Sequence, residues 1–168
     1  ARNVRALLAE GAAEVWGQKR ARREFSDGDP SPATIRMLAS MEQYVATFAD
    51  APVIVLPCML RYRDPTPSEG ASVYPAVQNL LLGARSVGLG GALTMFHQTR
   101  ETAIRAALEL PDAAFIAGTI TLGVPAGRHG PVRRRPMSQL VFEDQWDVSP
   151  KWAVDPAGTR FTGGPKNA

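Results

Sequence analysis

The sequence predicts a domain in which helices and short strands alternate, and three observations predict it. Apolar residues recur at the 3.6-residue spacing of a helix face in several segments. Other apolar runs are continuous but too short for helices. Between them stand turn and cap residues, mainly Gly, Pro and Ser. At 168 residues the chain has the length of about one domain with a buried core.

The elements follow in order. Val4, Leu7, Leu8, Ala12 and Val15 share one face, so the first segment is a helix with one apolar stripe. Ser26-Asp27-Gly28-Asp29-Pro30 is a loop, and Ser31 caps a second helix with Pro32 at its first position, where a missing N–H costs nothing. That helix extends to about Phe48, with Ile35, Leu38, Met41, Val45 and Phe48 inward. Pro52 to Leu60 is a continuous apolar run and is expected to be one buried strand, with Cys58 inside it as a buried, inert thiol. Arg61 to Gly70, rich in Pro and charge, is a loop.

A third helix starts at Ser72. Val73, Val77, Leu80, Leu81 and Ala84 form its wide stripe, and Gly88 closes it in the left-handed conformation. Ala92 to Phe96 is a short strand, Thr99 to Glu109 a short helix stopped before Pro111, and Phe115 to Leu122 a further strand. Leu140-Val141-Phe142 is read as another. The segment from Asp147 to Ala168 has little periodicity.

Composition narrows the classes of function. A hydrophobic fraction of 45% with 21% charged residues is that of a globular protein. No apolar run reaches the roughly 18 residues of a membrane span, and no signal peptide is evident, so no membrane partner and a cytoplasmic location are expected. Cys58 is the single cysteine, which leaves no intrachain disulfide and no cysteine metal cluster. The formal charge is +3, with basic clusters at Gln18 to Arg23 and Arg133 to Arg135. Neither is interleaved with the aromatics of a stacking platform, so no nucleic-acid partner is expected.

Catalytic machinery is sparse. No metal site is assigned at His97 or His129, and no Gly-x-Ser-x-Gly elbow is present. No set of acid–base residues assembles, and no residue is assigned as catalytic. That pattern suits a cofactor that carries its own redox chemistry and needs only binding and orientation. Gly88-Leu89-Gly90-Gly91 follows a helix and opens a strand, the reverse of a dinucleotide-binding loop. It reads as a helix cap and tight turn, or as small residues that let a flat ligand approach the next strand. Arg133-Arg134-Arg135-Pro136, if extended, puts Arg133 and Arg135 on one face and Arg134 on the other. Two guanidiniums on one face grip a phosphate bidentately; the alternative is a solvated basic turn.

The run from Ser72 to Thr94 resembles the central helix–turn–strand of the nitroreductase family. Ile120 to Gly127, followed by Arg133 to Val141, resembles that family's closing strand and phosphate-gripping Lys/Arg-x-Arg element. The resemblance covers about residues 51–146. It implies an α+β fold with a mixed or antiparallel sheet flanked by helices, an obligate homodimer, and FMN bound between subunits. It implies a flavin-binding domain over 1–146 and a C-terminal extension over 147–168. It further implies an oxidoreductase that uses NAD(P)H to reduce small-molecule substrates: nitroaromatics, quinones or related acceptors. The alternative is a catalytically silent flavin- or ligand-binding relative, or a cofactor-remodelling branch. Mapped residue by residue, Arg133 and Arg135 match the phosphate clamp, and Leu93, Thr94, Met95 and Phe96 match the segment whose backbone lies along the flavin ring. The family's Arg-rich helix start and Pro-Ser-x-x-Asn loop are not matched, so the sequence is expected to lack the family's N-terminal part.

Overall fold

A computed structural model of the chain describes residues 2–22, 32–127 and 134–159. The Ser26 to Pro30 loop, the Ser31 cap, His129 and Arg133 lie outside the described residues. The chain forms two compact units, Ala1–Ala126 and Gly127–Ala168.

The first unit is built as the apolar patterning dictates, with corrections where register decides. Helix α1 spans Arg2–Ala21 and α2 spans Pro32–Ala46, with Pro32 at its first position as expected. A 3₁₀ turn, Phe48–Asp50, leads to strand β1 (Val53–Val55) and then β2 (Cys58–Leu60). Helix α3 (Tyr74–Ser86) is followed by β3 (Gly90–Thr94). A 3₁₀ turn at Gln98–Arg100 runs into helix α4 (Glu101–Ala107), and β4 (Ala114–Ile116) and β5 (Thr119–Gly123) close the unit.

The run Pro52 to Leu60 is two strands, not one, and so is Phe115 to Leu122. β1, β5 and β3 form one antiparallel sheet in that order, while β2 and β4 form a second. The two runs still pair along their length. Val53 faces Leu122 and Val55 faces Ile120 in the first sheet; Cys58 faces Ile116 and Leu60 faces Ala114 in the second. Between these ladders Leu56 and Pro57 stand opposite Ala117, Gly118 and Thr119, so the second run carries one extra residue, as in a β-bulge. Pro57 has no N–H to give a ladder, yet its carbonyl still accepts from the Ala117 N–H at 2.8 Å. Nor is the run fully buried: Val53, Cys58 and Leu60 are exposed. The Cys58 thiol therefore reaches the surface, although partial burial still pushes its pKa up, against the pull of Arg105.

The core gathers around α1. Val4, Leu8 and Ala12 pack with Phe48, Phe96, Ile104 and Ile116. Trp16, absent from the expected stripe, extends the buried face by one turn, while Leu7 and Val15 are half-buried. The Phe48 ring meets Phe96 edge-on at 5.6 Å and Tyr44 at 5.5 Å. The Arg5 guanidinium donates to the carbonyls of Ala49, Ala51 and Pro52, tying α1 to the start of β1. Five donors in a planar fork suit such a convergence of carbonyls. Helix α2 is held more lightly. Its Tyr44 hydroxyl bonds Thr121 at 2.8 Å, but Ile35, expected inward, is 53% exposed because the core ends before the first turn of the helix reaches it.

Helix α3 ends as its Gly88 foretells. Gly88 has φ +82°, its N–H donates to Arg85, and the Leu89 N–H reaches back to Ala84, a complete Schellman closure. The helix begins at Tyr74, after a 3₁₀ turn over Glu69–Ser72. Beside that turn the Arg61 guanidinium pairs with the Glu69 carboxylate at 2.7 and 2.9 Å and lies over the Phe115 ring. In the second unit, Leu140 to Phe142 is not a strand. It follows a 3₁₀ turn, Met137–Gln139, whose first N–H is held by the Asp155 carboxylate, and the Phe142 ring packs on Trp146.

Burial sets a clear contrast for mutation. Leu8 is 1% exposed among the core residues, so Leu8→Ala should cost about 2–5 kcal/mol of stability. Ile35→Ala, at an exposed position, should change stability by less than about 0.5 kcal/mol. Urea unfolding of the two variants checks the ranking.

Candidate functional site

The four residues assigned to the flavin-facing segment sit at the end of an edge strand. Leu93 and Thr94 are the last residues of β3, paired with Ile120 and Thr119 of β5. Met95 and Phe96 begin a turn closed by the Gln98 N–H donating to the Met95 carbonyl at 3.2 Å. β3 uses one side for β5, and its other side pairs with no strand among the described residues. Backbone groups on that side have no ladder partner among the described residues. The side chains divide: Leu93 is exposed, Thr94 and Met95 are half-buried, and Phe96 is turned into the core. Phe96 therefore offers a ligand only its backbone.

Thr119 lies beneath this turn and holds both of its ends. The Thr94 hydroxyl donates to the Thr119 carbonyl at 3.2 Å, and His97 Nδ1 lies 3.2 Å from the Thr119 hydroxyl. His97 is 2% exposed and Thr119 is fully buried. Burial pushes the His97 imidazole below its ordinary pKa, outweighing the opposing pull of Glu101 and of a hydrogen bond to the Ile116 backbone. The ring is thus neutral at physiological pH. The sequence assigned His97 neither to a metal site nor to a hydrolytic Ser–His pair and gave Thr119 no role beyond its strand. The pairing of β3 with β5 brings them together, and spacing alone gives no sign of it.

The glycines at the junction of α3 and β3 have structural roles. Gly88 is the helix cap. A Cβ on Gly91 would lie 2.7 Å from both Leu81 and Leu122, so that space is filled by the protein's own side chains and not left for a ligand. Gly90 and Gly91 belong to the strand itself, which starts two residues earlier than expected and stops at Thr94.

Arg135 is exposed and followed by Pro136 in extended backbone (φ −51°, ψ 144°). Arg134 is exposed as well. Both belong to the second unit, and Arg133 lies outside the described residues, so the expected sharing of a face by Arg133 and Arg135 is not seen directly. An apolar cleft lined by Val4, Arg5, Leu8, Ile54, Leu56 and Leu108 opens elsewhere on the first unit. Its one charged group, Arg5, is already engaged by three carbonyls. Among the described residues no group of His, Cys, Asp and Glu is placed to hold a metal ion, and no helix is long and apolar enough to cross a membrane.

With this geometry in view, the comparisons with known proteins are informative. The model of the nitroreductase family matches residues 2–124. Among solved structures, the chain is similar to a protein of Bacteroides fragilis NCTC 9343 described as an oxidoreductase, with a TM-score of 0.51 and 21% identity. That likeness covers 66% of this chain and 52% of the other, so the chain spans about half the length of that relative. It is also similar to a BluB-like flavoprotein of Clostridium difficile 630, with a TM-score of 0.54 and 16% identity, over 86% of this chain and 76% of the other. At these identities the two structures show the fold. No curated protein matches the chain.

The buried imidazole gives the stability a pH signature. Because the folded state depresses the His97 pKa, the unfolded state takes up its proton first as pH falls. Stability from this group is therefore complete above the unfolded value of about 6.5 and is lost progressively below it. His97→Gln should flatten that acid-side decline, read as the difference between variant and wild type in urea midpoints from pH 8 to pH 5.

Proposed function

The chain belongs to the nitroreductase family, and we propose that it serves as an FMN-dependent oxidoreductase drawing on NAD(P)H to reduce nitroaromatic, quinone or related acceptors. The observation that carries the reading is the family match over residues 2–124, which includes β3 and the turn after it. The open side of β3 supports it, because a planar ring needs backbone donors and little side-chain bulk. FMN, when bound, supplies the two-electron chemistry. The chain's own part is to bind and orient. Backbone N–H groups along Leu93 to Phe96 would hold the flavin ring and offer it hydrogen-bond donors, in a place where Phe96 is anchored in the core. Arg133 and Arg135 grip the phosphate, for which a planar guanidinium is better shaped than a lysine ammonium. No acid–base residue is required of this segment. The first test is spectroscopic: the full-length protein should purify yellow and bleach on addition of NADPH. A protein that stays yellow is a flavin binder without this activity.

We also propose that the protein works as a homodimer through the outer face of α3. Val73, Val77 and Ala84 are covered within the chain, and Leu81 packs over Gly91, so the exposed apolar residues are Leu82 and Tyr74 on one flank of the helix and Leu80 and Val87 on the other. An interface of more than about 2,000 Å² in total is expected. Leu82→Glu, at a position 58% exposed in the single chain, should give monomers by light scattering at micromolar concentration without unfolding them.

Phosphate recognition predicts a selective loss. A charge-assisted hydrogen bond is worth roughly 1.5–3 kcal/mol, so Arg133→Ala and Arg135→Ala should each weaken FMN binding about tenfold to a hundredfold. Arg134→Ala should leave it unchanged. Riboflavin, which lacks the phosphate, should bind all three variants as it binds the wild type. Fluorescence titration with both ligands decides the assignment.

A further inference from the structure

We infer that Gly11 and Thr119 are positioning residues that hold the Met95-Phe96-His97 turn from two sides, Gly11 by close approach to the Phe96 backbone and Thr119 through the Thr94 hydroxyl and the His97 ring. The flavin-facing geometry would then be set by contacts outside the segment that meets the flavin. This rests on the proposed function for its ligand, but the clamp itself is a matter of packing and hydrogen bonds.

One jaw is helix α1. Gly11 stands in the middle of a 20-residue helix, where glycine costs about 1 kcal/mol relative to alanine. Its presence has a reason in the packing. A Cβ at this position would lie 2.1 Å from the Phe96 carbonyl oxygen and 3.3 Å from its carbon. Both are backbone atoms, so a methyl there is accommodated only by moving the Phe96 peptide or the helix. On the same helix Glu10 and Glu14, four residues apart and flanking Gly11, reach Arg100 at 3.3 and 2.9 Å. These pairs are partly exposed and add modestly, but they hold the 3₁₀ turn after His97 against the same helix.

The other jaw is Thr119. Its carbonyl accepts from Thr94 at one end of the turn, and its hydroxyl meets His97 at the other. The carbonyl contact would survive in any residue, but the hydroxyl contact needs Thr or Ser. Thr119 stands at the bulge where β4 hands over to β5, and a bulge re-aims the side chain beside it. With valine here the buried His97 Nδ1 would lose its Thr119 partner, so the hydroxyl holds the ring in one orientation.

The test uses the full-length protein and two readouts: FMN affinity by fluorescence, and exchange of the Gln98 amide, whose bond to Met95 closes the turn. Thr119→Val, which keeps the shape and loses the hydroxyl, should weaken FMN binding about tenfold, the loss expected for one buried hydrogen bond. It should also speed Gln98 exchange about tenfold. Thr119→Ser should restore both values. Gly11→Ala should move both readouts in the same direction as Thr119→Val; if it does not fold, the threonine pair decides. A wild type that binds FMN while Thr119→Val binds it equally well overturns the positioning role. A wild type that holds no FMN overturns the proposed function instead, and Gln98 exchange then decides the clamp: faster in Thr119→Val upholds it, unchanged overturns it.

Discussion

The antiparallel pairing of residues 53–60 with residues 114–123 is the constraint on which the first unit depends. Two apolar runs of this kind could pair as one long ribbon. They do not, because Pro57 cannot donate to a ladder and the facing run answers with one residue more. The mismatch divides the pairing into two ladders. On one side of it β4 stays with β2; on the other β5 is free to take β3 as its second neighbour. Every residue of the candidate site in this unit hangs on that second pairing. A one-residue slip would turn the faces of β5 over and carry Thr119 away from both Thr94 and His97.

Around this ribbon the helices divide the work unequally. Helix α1 supplies Val4, Leu8 and Ala12 to the cluster around Phe48 and Phe96 and, through Arg5, holds the chain as it enters β1. The Arg105 guanidinium does a similar service at the other end, donating to the Pro111, Asp112 and Ala114 carbonyls and fixing the entry into β4. Both ends of the ribbon are thus tied by an arginine bound to backbone oxygens. Most of these carbonyls come from residues outside the ladders; Ala114 is the first residue of β4, and Pro111 also accepts from the Ala114 N–H.

Much of the helical structure was legible in the sequence, because a stripe at 3.6-residue spacing and a Gly at the right distance are local signals. Helix α1 and the Gly88 closure of α3 are examples. The inward set of α2 was less so: Ile35 keeps the period but lies beyond the edge of the core, and periodicity says nothing about where a core ends. The strands were legible as runs and not as ladders. Pro57 and Gly118 marked the break, since neither suits the interior of a central strand, but a continuous apolar run does not say which residue faces which. Cys58 followed from that error, because a residue assumed to be inside one buried strand sits at the exposed start of a separate one. Leu140 to Phe142 misled for a simpler reason, being an apolar triplet with no partner strand among the described residues. In the site, Leu93 to Phe96 came from family likeness and His97 with Thr119 from the fold alone. Gly11 was not legible either: α1 also carries Gly17, against which nothing packs, so a glycine in a helical pattern does not by itself mark a close approach.

The open side of β3 has a consequence for how the protein behaves as a solute. An unpaired strand edge offers its N–H and C=O groups to any extended peptide as readily as to a flat ring, and such edges seed association between chains. β3 is short, five residues long, and opens with two glycines, which resist the extended conformation and supply no cross-strand grip. An edge made this way stays accessible to a small rigid molecule, which needs only a few donors. It is a poor template for another polypeptide, which needs a longer and more regular row.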